Sequence, residues 1–191
     1  MTKSIDFYFD FISPYSYLAH LRIKQIKNIN FNYKPVLVGG LHNLQGITAP
    51  AFIKPKLKHM ISDCDLIAKK DRSIFIWNSK FPINSINIMR GYLFINNENK
   101  DLYLNVMFDA YWKDNLDIAN EETLKSLLEN CKIDPINFFE GIKNPNIKDQ
   151  LKNVTQAAHD NEIFGAPSFV VNNKIFWGQD RLEFALDEYN K

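Results

Sequence analysis

The sequence has little cysteine and no long apolar run. Cys64 and Cys131 are its only cysteines, each isolated in a stretch with helical periodicity, and we interpret them as free buried thiols in a reducing cytosol. No apolar stretch approaches the roughly 18 residues that a membrane-spanning helix needs. Asp6 and Asp10 interrupt the apolar residues near the N terminus, which argues against a signal-peptide core. We therefore expect a cytoplasmic protein with no membrane partner.

An excess of charge is also missing. Lys plus Arg (23) nearly equal Asp plus Glu (22), which does not favour a nucleic-acid partner. The histidines show no metal-ligand spacing, and we predict no metal site; they are His20, His42, His59 and His159. The sequence has no Gly-rich phosphate loop or dinucleotide fingerprint after a strand, and no nucleophile elbow.

The N-terminal residues alternate in polarity as a half-buried strand does. Residues 5–11 place apolar side chains at every second position, and Ser13 followed by Pro14 is typical of a helix start. Residues 31–38 indicate a second strand, in which Pro35 predicts an edge or a bulge. Strand, helix and strand form a βαβ unit, which favours a parallel pair.

Helical periodicity dominates from about residue 50 to residue 160, and strands return near the C terminus. Residues 168–171 and 174–177 flank Asn172-Asn173 and predict a hairpin, followed by a helix over 182–189. This order predicts an α/β fold: a thioredoxin-like fold with an all-helical insertion. We expect a thioredoxin-like domain made of residues 1–50 and 160–191, and a helical insertion over residues 51–159.

The strand-to-helix junction at Ser13–Ser16 is the first candidate site. A helix N terminus presents unpaired N–H groups and stabilises an anion. A hydroxyl there can donate a hydrogen bond to a thiolate and lower the pKa of that thiol. An ordinary helix start explains the same residues, and this segment taken alone favours that alternative.

Two further segments are candidates for ligand contact. Pro167 opens an apolar strand after Gly165-Ala166; a cis bond there would let Ala166 pair with an extended peptide, whereas a trans proline would simply begin an edge strand. Polar residues over 178–181 precede the last helix and suit a zwitterion, because the helix N terminus attracts a carboxylate and Asp180 attracts an ammonium. A helix cap with a surface ion pair is the alternative.

Together these segments resemble one branch of the DsbA-like proteins in the thioredoxin superfamily, namely the 2-hydroxychromene-2-carboxylate isomerases and kappa-class glutathione transferases. Residues 10–16 match their D-x-x-S-P-Y-S motif, residues 164–167 match F-G-x-P, and residues 176–181 match F-W-G-x-D-R. The isomerases also carry F-P-x-N and a nearby M-R, matched by residues 81–84 and 89–90. The resemblance extends from about residue 4 to the C terminus.

The resemblance implies roles for individual residues. Ser13 would be the catalytic serine that contacts the sulfur of glutathione, and Ala166 before cis-Pro167 would bind its cysteinyl backbone. The other residues with implied glutathione contacts are Lys56 at the glycyl carboxylate, and Gln179, Asp180 and Arg181 at the γ-glutamyl end. Asn84 and Arg90 are the candidate anchors for a substrate carboxylate.

One segment departs from the family pattern. Such proteins usually carry G-N-x-x-P, whereas this chain has Gly46-Ile47-Thr48-Ala49-Pro50. Isoleucine cannot donate or accept the asparagine's hydrogen bond, which would cost about 1 kcal/mol or more if that contact is buried. The residues that offer a replacement contact are Asn43, Gln45 and Thr48.

The resemblance implies an isomerase in which glutathione is a cofactor, acting on 2-hydroxychromene-2-carboxylate-like aromatic hydroxy acids. The alternatives are a kappa-type transferase that conjugates electrophiles and a non-catalytic glutathione- or peptide-binding protein. Ser13 and Ser16 stand where a dithiol oxidoreductase carries its cysteines, which argues against dithiol chemistry. Homodimers are common among such relatives.

Overall fold

The computed structural model describes residues 3–191, so the first two residues of the predicted thioredoxin-like domain lie outside the described part. The described residues form four strands and nine α-helices. The strands are β1 (Ser4–Phe9), β2 (Asn30–Pro35), β3 (Ser168–Val171) and β4 (Lys174–Trp177). The helices are α1 (Pro14–Ile23), α2 (Val38–Leu44), α3 (Lys54–Lys70), α4 (Ile86–Phe94), α5 (Asn97–Trp112), α6 (Glu121–Asn130), α7 (Pro135–Gly141), α8 (Pro145–Asp160) and α9 (Leu182–Tyr189).

The strands form one mixed sheet in the order β2-β1-β3-β4. β1 pairs in parallel with β2, and β3 pairs antiparallel with both β1 and β4. The parallel pair and the edge position of β2, which ends at Pro35, confirm the predictions made from the βαβ pattern. Asn172 and Asn173 join β3 to β4 with φ of 49° and 59°, so the predicted hairpin turn is confirmed as well.

The first strand is shorter than its alternation predicts. It was expected over residues 5–11 but ends at Phe9, because the buried Asp10 carboxylate accepts backbone N–H groups from Ile12 and Val38 instead of continuing the ladder. The second strand likewise ends at Pro35 rather than at residue 38, where α2 begins.

Helices α3 to α8 fill the stretch between β2 and β3, as the helical periodicity predicts. Asn120 and Asp134 cap α6 and α7 through their side chains. Helix α5 starts at Asn97 because the Asn96 side chain caps it. Helix α2, which carries Gly39 and Gly40, was not predicted. The division into two structural parts at residues 50 and 160 stays a prediction.

Aromatic side chains join the sheet to the helices. Phe7, Phe9 and Phe11 are fully buried, and Phe11 packs against Phe108 of α5 with ring centroids 4.8 Å apart. The indole of Trp112 donates a hydrogen bond of 2.8 Å to the Phe11 carbonyl. These contacts fix the end of β1, and therefore the start of α1, against the helical layer. From residue 3 onward, no helix combines the length and apolar character that crossing a bilayer requires.

Candidate active site

Ser13 closes the N terminus of α1 and reaches across to the loop before β3. Its Oγ accepts a hydrogen bond of 3.2 Å from the Ser16 N–H and donates one of 2.9 Å to the Ala166 carbonyl. Pro14 occupies the first helical position, where a proline's missing donor costs least. The backbone N–H of Tyr15 has no hydrogen-bond acceptor within residues 3–191. This helix end therefore offers one hydroxyl and one unpaired N–H group.

The loop opposite Ser13 has the conformation that the family resemblance implies. The Ala166–Pro167 peptide bond is cis, and the Pro167 carbonyl accepts a hydrogen bond of 3.0 Å from the Gly178 N–H. A Cβ on Gly165 would lie 2.7 Å from the indole nitrogen of Trp177, so glycine is required for this close approach. The loop is thus held against the end of β4.

A cavity of about 520 Å³ lies where α1, α3, the cis-proline loop and the segment after β4 meet. The residues that line it are Tyr15, Asp63, Ile67, Ala166, Pro167, Trp177, Gly178, Gln179, Asp180 and Arg181. Ser13 contacts one of these lining residues through the Ala166 carbonyl. The fold therefore brings the three candidate segments to one place.

The segment after β4 presents polar groups to this cavity. Gln179 is 8% exposed, and its buried Oε1 has no hydrogen-bond partner in the described chain. Its backbone carbonyl is held by the guanidinium of Arg22, which also pairs with Asp71 at 2.6 Å. Asp180 and Arg181 are both well exposed and lie 3.4 Å apart. A buried acceptor thus stands beside one carboxylate and one guanidinium.

Asp180 approaches the backbone closely because of Gly178. That glycine has a φ of 115°, and a Cβ there would lie 2.6 Å from the Asp180 Oδ1. An L-residue at this position would be strained by its φ and would displace the carboxylate. Gly178 therefore sets the position of Asp180 at the cavity.

Tyr15 and Asp63 are cavity residues that the sequence did not single out. The Tyr15 hydroxyl donates a hydrogen bond of 2.8 Å to the Asp63 Oδ2, and burial raises the pKa of Tyr15 well above its ordinary value. Asp63 comes from α3, in which the sequence singled out Lys56 but not Asp63. Neighbouring Cys64 is buried, which raises the pKa of its thiol to about 12, so it stays protonated.

Several predicted site residues lie elsewhere. Lys56, in the first turn of α3, is exposed and does not line the cavity. Asn84 is exposed and accepts a hydrogen bond from the Ile86 N–H. Arg90 lines a second cavity that shares no residue with the first. The contacts implied for these three residues stay predictions.

The residues offered as replacements for the missing asparagine do not reach the cavity either. Asn43 lines the second cavity. Gln45 donates a hydrogen bond of 3.0 Å to the Phe164 carbonyl, which ties the end of α2 to the cis-proline loop. Thr48 and Ile47 are exposed and absent from the lining. None of these side chains lines the cavity, and a replacement contact for the missing asparagine stays a prediction.

Asp10 holds the backbone around the start of α1 in place. Its carboxylate is completely buried, and burial raises its pKa to about 6, although hydrogen bonds from Val38 and Ser85 oppose the rise. Its backbone carbonyl accepts the Ser13 N–H over 3.0 Å. Asp10 thus positions both the turn that leads into α1 and the chain that leaves β2. Within residues 3–191, no three His, Cys, Asp or Glu side chains are grouped to hold a metal ion.

The sheet order, the capped α1 and the cis-proline loop opposite it define a thioredoxin-like protein. The model of the DsbA-like thioredoxin domain family matches residues 4–190, and the chain belongs to that family.

Individual relatives narrow the class further. The chain is 28% identical to the 2-hydroxychromene-2-carboxylate isomerase of Sphingobium xenophagum, over 99% of this chain and 98% of that one. It is 24% identical to human glutathione S-transferase kappa 1, over 96% of this chain and 89% of that one. The solved structure of a 2-hydroxychromene-2-carboxylate isomerase superimposes with a TM-score of 0.88 at 24% identity, covering 96% of this chain and 92% of that one. These likenesses confirm the predicted family and the predicted fold.

Proposed function

We propose that this protein is a glutathione-dependent isomerase of aromatic hydroxy acids that resemble 2-hydroxychromene-2-carboxylate. The observation that carries the proposal is the contact between Ser13 and Ala166 beside a cavity lined by Gln179, Asp180 and Arg181. The names of the full-length relatives support it. Ser13 and Ser16 occupy the helix start without a thiol, so the reactive sulfur has to come from a bound molecule.

The residues at the helix start fit a thiolate. Bound glutathione would supply the nucleophilic sulfur that adds reversibly to the substrate and is regained at the end. The unpaired Tyr15 N–H and the partial positive charge at the start of α1 stabilise an anion there. The Ser13 O–H, which points to Ala166 in the free protein, turns to the sulfur and donates a charge-assisted hydrogen bond, which is stronger than the one it leaves.

The same rotation frees the Ala166 carbonyl. That carbonyl and the Ala166 N–H, which has no partner in the described structure, then pair with the cysteinyl backbone as a neighbouring strand would. Ser13 therefore exchanges an internal hydrogen bond for one to the ligand, and Ala166 does the same.

The γ-glutamyl end fits the polar segment after β4. The buried Oε1 of Gln179 has no hydrogen-bond partner within the described residues. An unsatisfied buried acceptor costs about 1–3 kcal/mol, which an ammonium donor would recover. Asp180 provides the balancing negative charge, and Arg181 suits the α-carboxylate. The glycyl end is assigned to Lys56 from the resemblance alone.

The experiment has two readouts. Calorimetry with reduced glutathione tests binding, and a spectrophotometric assay with 2-hydroxychromene-2-carboxylate, with and without glutathione, tests isomerisation. We expect Asp180→Asn to weaken glutathione binding roughly tenfold, as for a charge-assisted contact. Glu183→Gln, which removes an exposed carboxylate outside the cavity lining, is the matched control. Isomerisation at the same rate without glutathione would refute the proposal.

A kappa-type transferase is the second candidate, favoured by the similarity to the human enzyme. The same thiolate would attack an electrophile and be consumed with it. Turnover of 1-chloro-2,4-dinitrobenzene without isomerisation would favour this function. Binding of glutathione without turnover of either substrate would instead favour a non-catalytic protein, in line with the departure at Ile47.

The cytoplasmic location and the homodimer belong to the same proposal. Cys64 and Cys131 are buried and unpaired, and burial raises the pKa of both thiols, as suits free thiols in a reducing compartment. Sedimentation velocity of the purified protein tests the dimer, and a single monomeric species would contradict it.

A further inference from the structure

The second cavity is bounded by α2, α4 and α8 and has a volume of about 300 Å³. The residues lining it are Leu37, Gly40, Asn43, Leu44, Ile86, Arg90, Lys148, Leu151, Lys152, Thr155 and Gln156. They include three cationic side chains and no acidic one. Its aliphatic side chains, such as Leu37 and Leu151, form apolar walls, and the three cations make it positively charged.

The three cations have no counterion among residues 3–191. Arg90, Lys148 and Lys152 form no ion pair within 4 Å in the described part of the chain. Other exposed lysines do pair: Lys69, for example, lies 2.9 Å from Asp65. Like charges placed together without a partner repel one another, so an anion between them would stabilise this region.

Arg90 also has an unsatisfied donor. Its Nε is buried and has no hydrogen-bond partner among residues 3–191. A buried charged donor without an acceptor is costly, and a guanidinium pairs best with a planar carboxylate through two parallel hydrogen bonds. Arg90 can therefore orient a carboxylate through paired hydrogen bonds, and the two lysines add positive charge.

We propose that this cavity binds a compact organic carboxylate, at a site separate from the one beside Ser13. Arg90 holds the carboxylate, Lys148 and Lys152 supply charge, and the apolar body packs against Leu37 and Leu151. An apolar cavity of about 150 Å³ accommodates a single benzene ring, so this volume suits a body of one or two rings. The assignment does not depend on glutathione chemistry.

The probe is 1-naphthoate, titrated by fluorescence against the full chain with glutathione present at saturation. We expect Lys148→Gln combined with Lys152→Gln to weaken binding by about tenfold, since each exposed charge contributes modestly to the attraction of an anion. The matched control combines Lys27→Gln with Lys143→Gln, which removes two exposed, unpaired lysines outside the cavity and should leave the affinity unchanged.

Chemical-shift mapping locates the site, and two comparison ligands test which chemistry it prefers. Amide chemical-shift changes should appear at Gly40 and Thr155, and Arg90→Gln should abolish them. The neutral analogue 1-naphthalenemethanol should bind at least tenfold more weakly, and so should inorganic phosphate. Equal affinity in the lysine double variant and the wild type, or shift changes confined to residues 166–181, would overturn the assignment while leaving the proposed isomerase function untouched.

Discussion

The Ser13 hydroxyl donates a hydrogen bond of 2.9 Å to the carbonyl of Ala166, which lies 153 positions further along the chain. The same oxygen accepts the Ser16 N–H and caps α1. One side chain therefore links the first helix to the cis-proline loop and forms part of the candidate thiolate site. Any change at Ser13 will alter stability and chemistry together, so tests have to separate the two effects.

Ser13→Ala should raise the thiol pKa of bound glutathione toward its ordinary value, because the hydroxyl donor to the thiolate is lost. It should also lower the free energy of unfolding by about 1–2 kcal/mol, since the helix cap and the Ala166 contact are lost. Ultraviolet absorbance of the thiolate across pH measures the first effect and urea denaturation the second. Ser79→Ala, at an exposed serine, is the control. Unchanged thiolate absorbance would count against the assigned role.

Gly165→Ala should destabilise the protein by about 1–3 kcal/mol, because its Cβ would lie 2.7 Å from the Trp177 indole nitrogen. Trp177 lines the cavity, so glutathione binding should weaken as well. Gly39→Ala is the matched control, since a Cβ there has no neighbour within 4 Å and alanine favours the helix. Equal stability of the two variants in thermal denaturation would contradict this account.

His20 should make the protein sensitive to mild acid. It is buried between the Tyr33 hydroxyl and the Asn105 side-chain oxygen, and burial lowers its pKa from 6.5 to about 4. Its contribution to stability is therefore present above pH 6.5 and lost as the pH falls toward 4. From pH 7 to pH 5 this group should cost about 2 kcal/mol.

Urea denaturation at both pH values tests this expectation. The loss of stability between pH 7 and pH 5 should be about 2 kcal/mol smaller in His20→Gln than in the wild type. His59→Gln, at an exposed histidine, should behave like the wild type. A loss as large in His20→Gln as in the wild type would show that His20 titrates normally in the folded protein.

Asp10 should act in the opposite direction over the same range. Its pKa is raised from 3.8 to about 6 by burial, so the folded state retains a proton that the unfolded state releases. Its contribution is present below pH 3.8 and lost as the pH rises through 6. Between pH 5 and pH 7 that loss should amount to about 1 kcal/mol.

Asp10→Asn should remove the loss of stability that Asp10 causes between pH 5 and pH 7. The variant also changes the hydrogen bonds to Ile12 and Val38, but that cost is the same at both pH values. The readout is the difference in the free energy of unfolding between the two pH values, with the exposed Asp187→Asn as control. In the wild type the Asp10 and His20 effects partly cancel, so each is measured as the difference between its own variant and the wild type. A difference between pH 5 and pH 7 that is unchanged in Asp10→Asn would contradict the raised pKa.

Features set by neighbouring residues were predicted well. Ser13-Pro14 caps and begins α1, Asn172-Asn173 turns the hairpin, and Pro35 ends an edge strand. Each follows from local backbone preferences. The ends of β1 and β2 were wrong, because the side chain of Asp10 competes with the ladder for backbone N–H groups, and α2 was missed because its two glycines disfavour a helix.

The sequence by itself determined the family, the order of strands and helices, and the motifs that meet at Ser13, because residue type and short-range spacing carry that information. Only the tertiary structure decided that Asp63 lines the cavity beside Ala166 and that Arg90 lines the second cavity. Those placements depend on how helices pack across the sheet. Packing is set by the summed shape of many side chains distant in the chain, which no local pattern records.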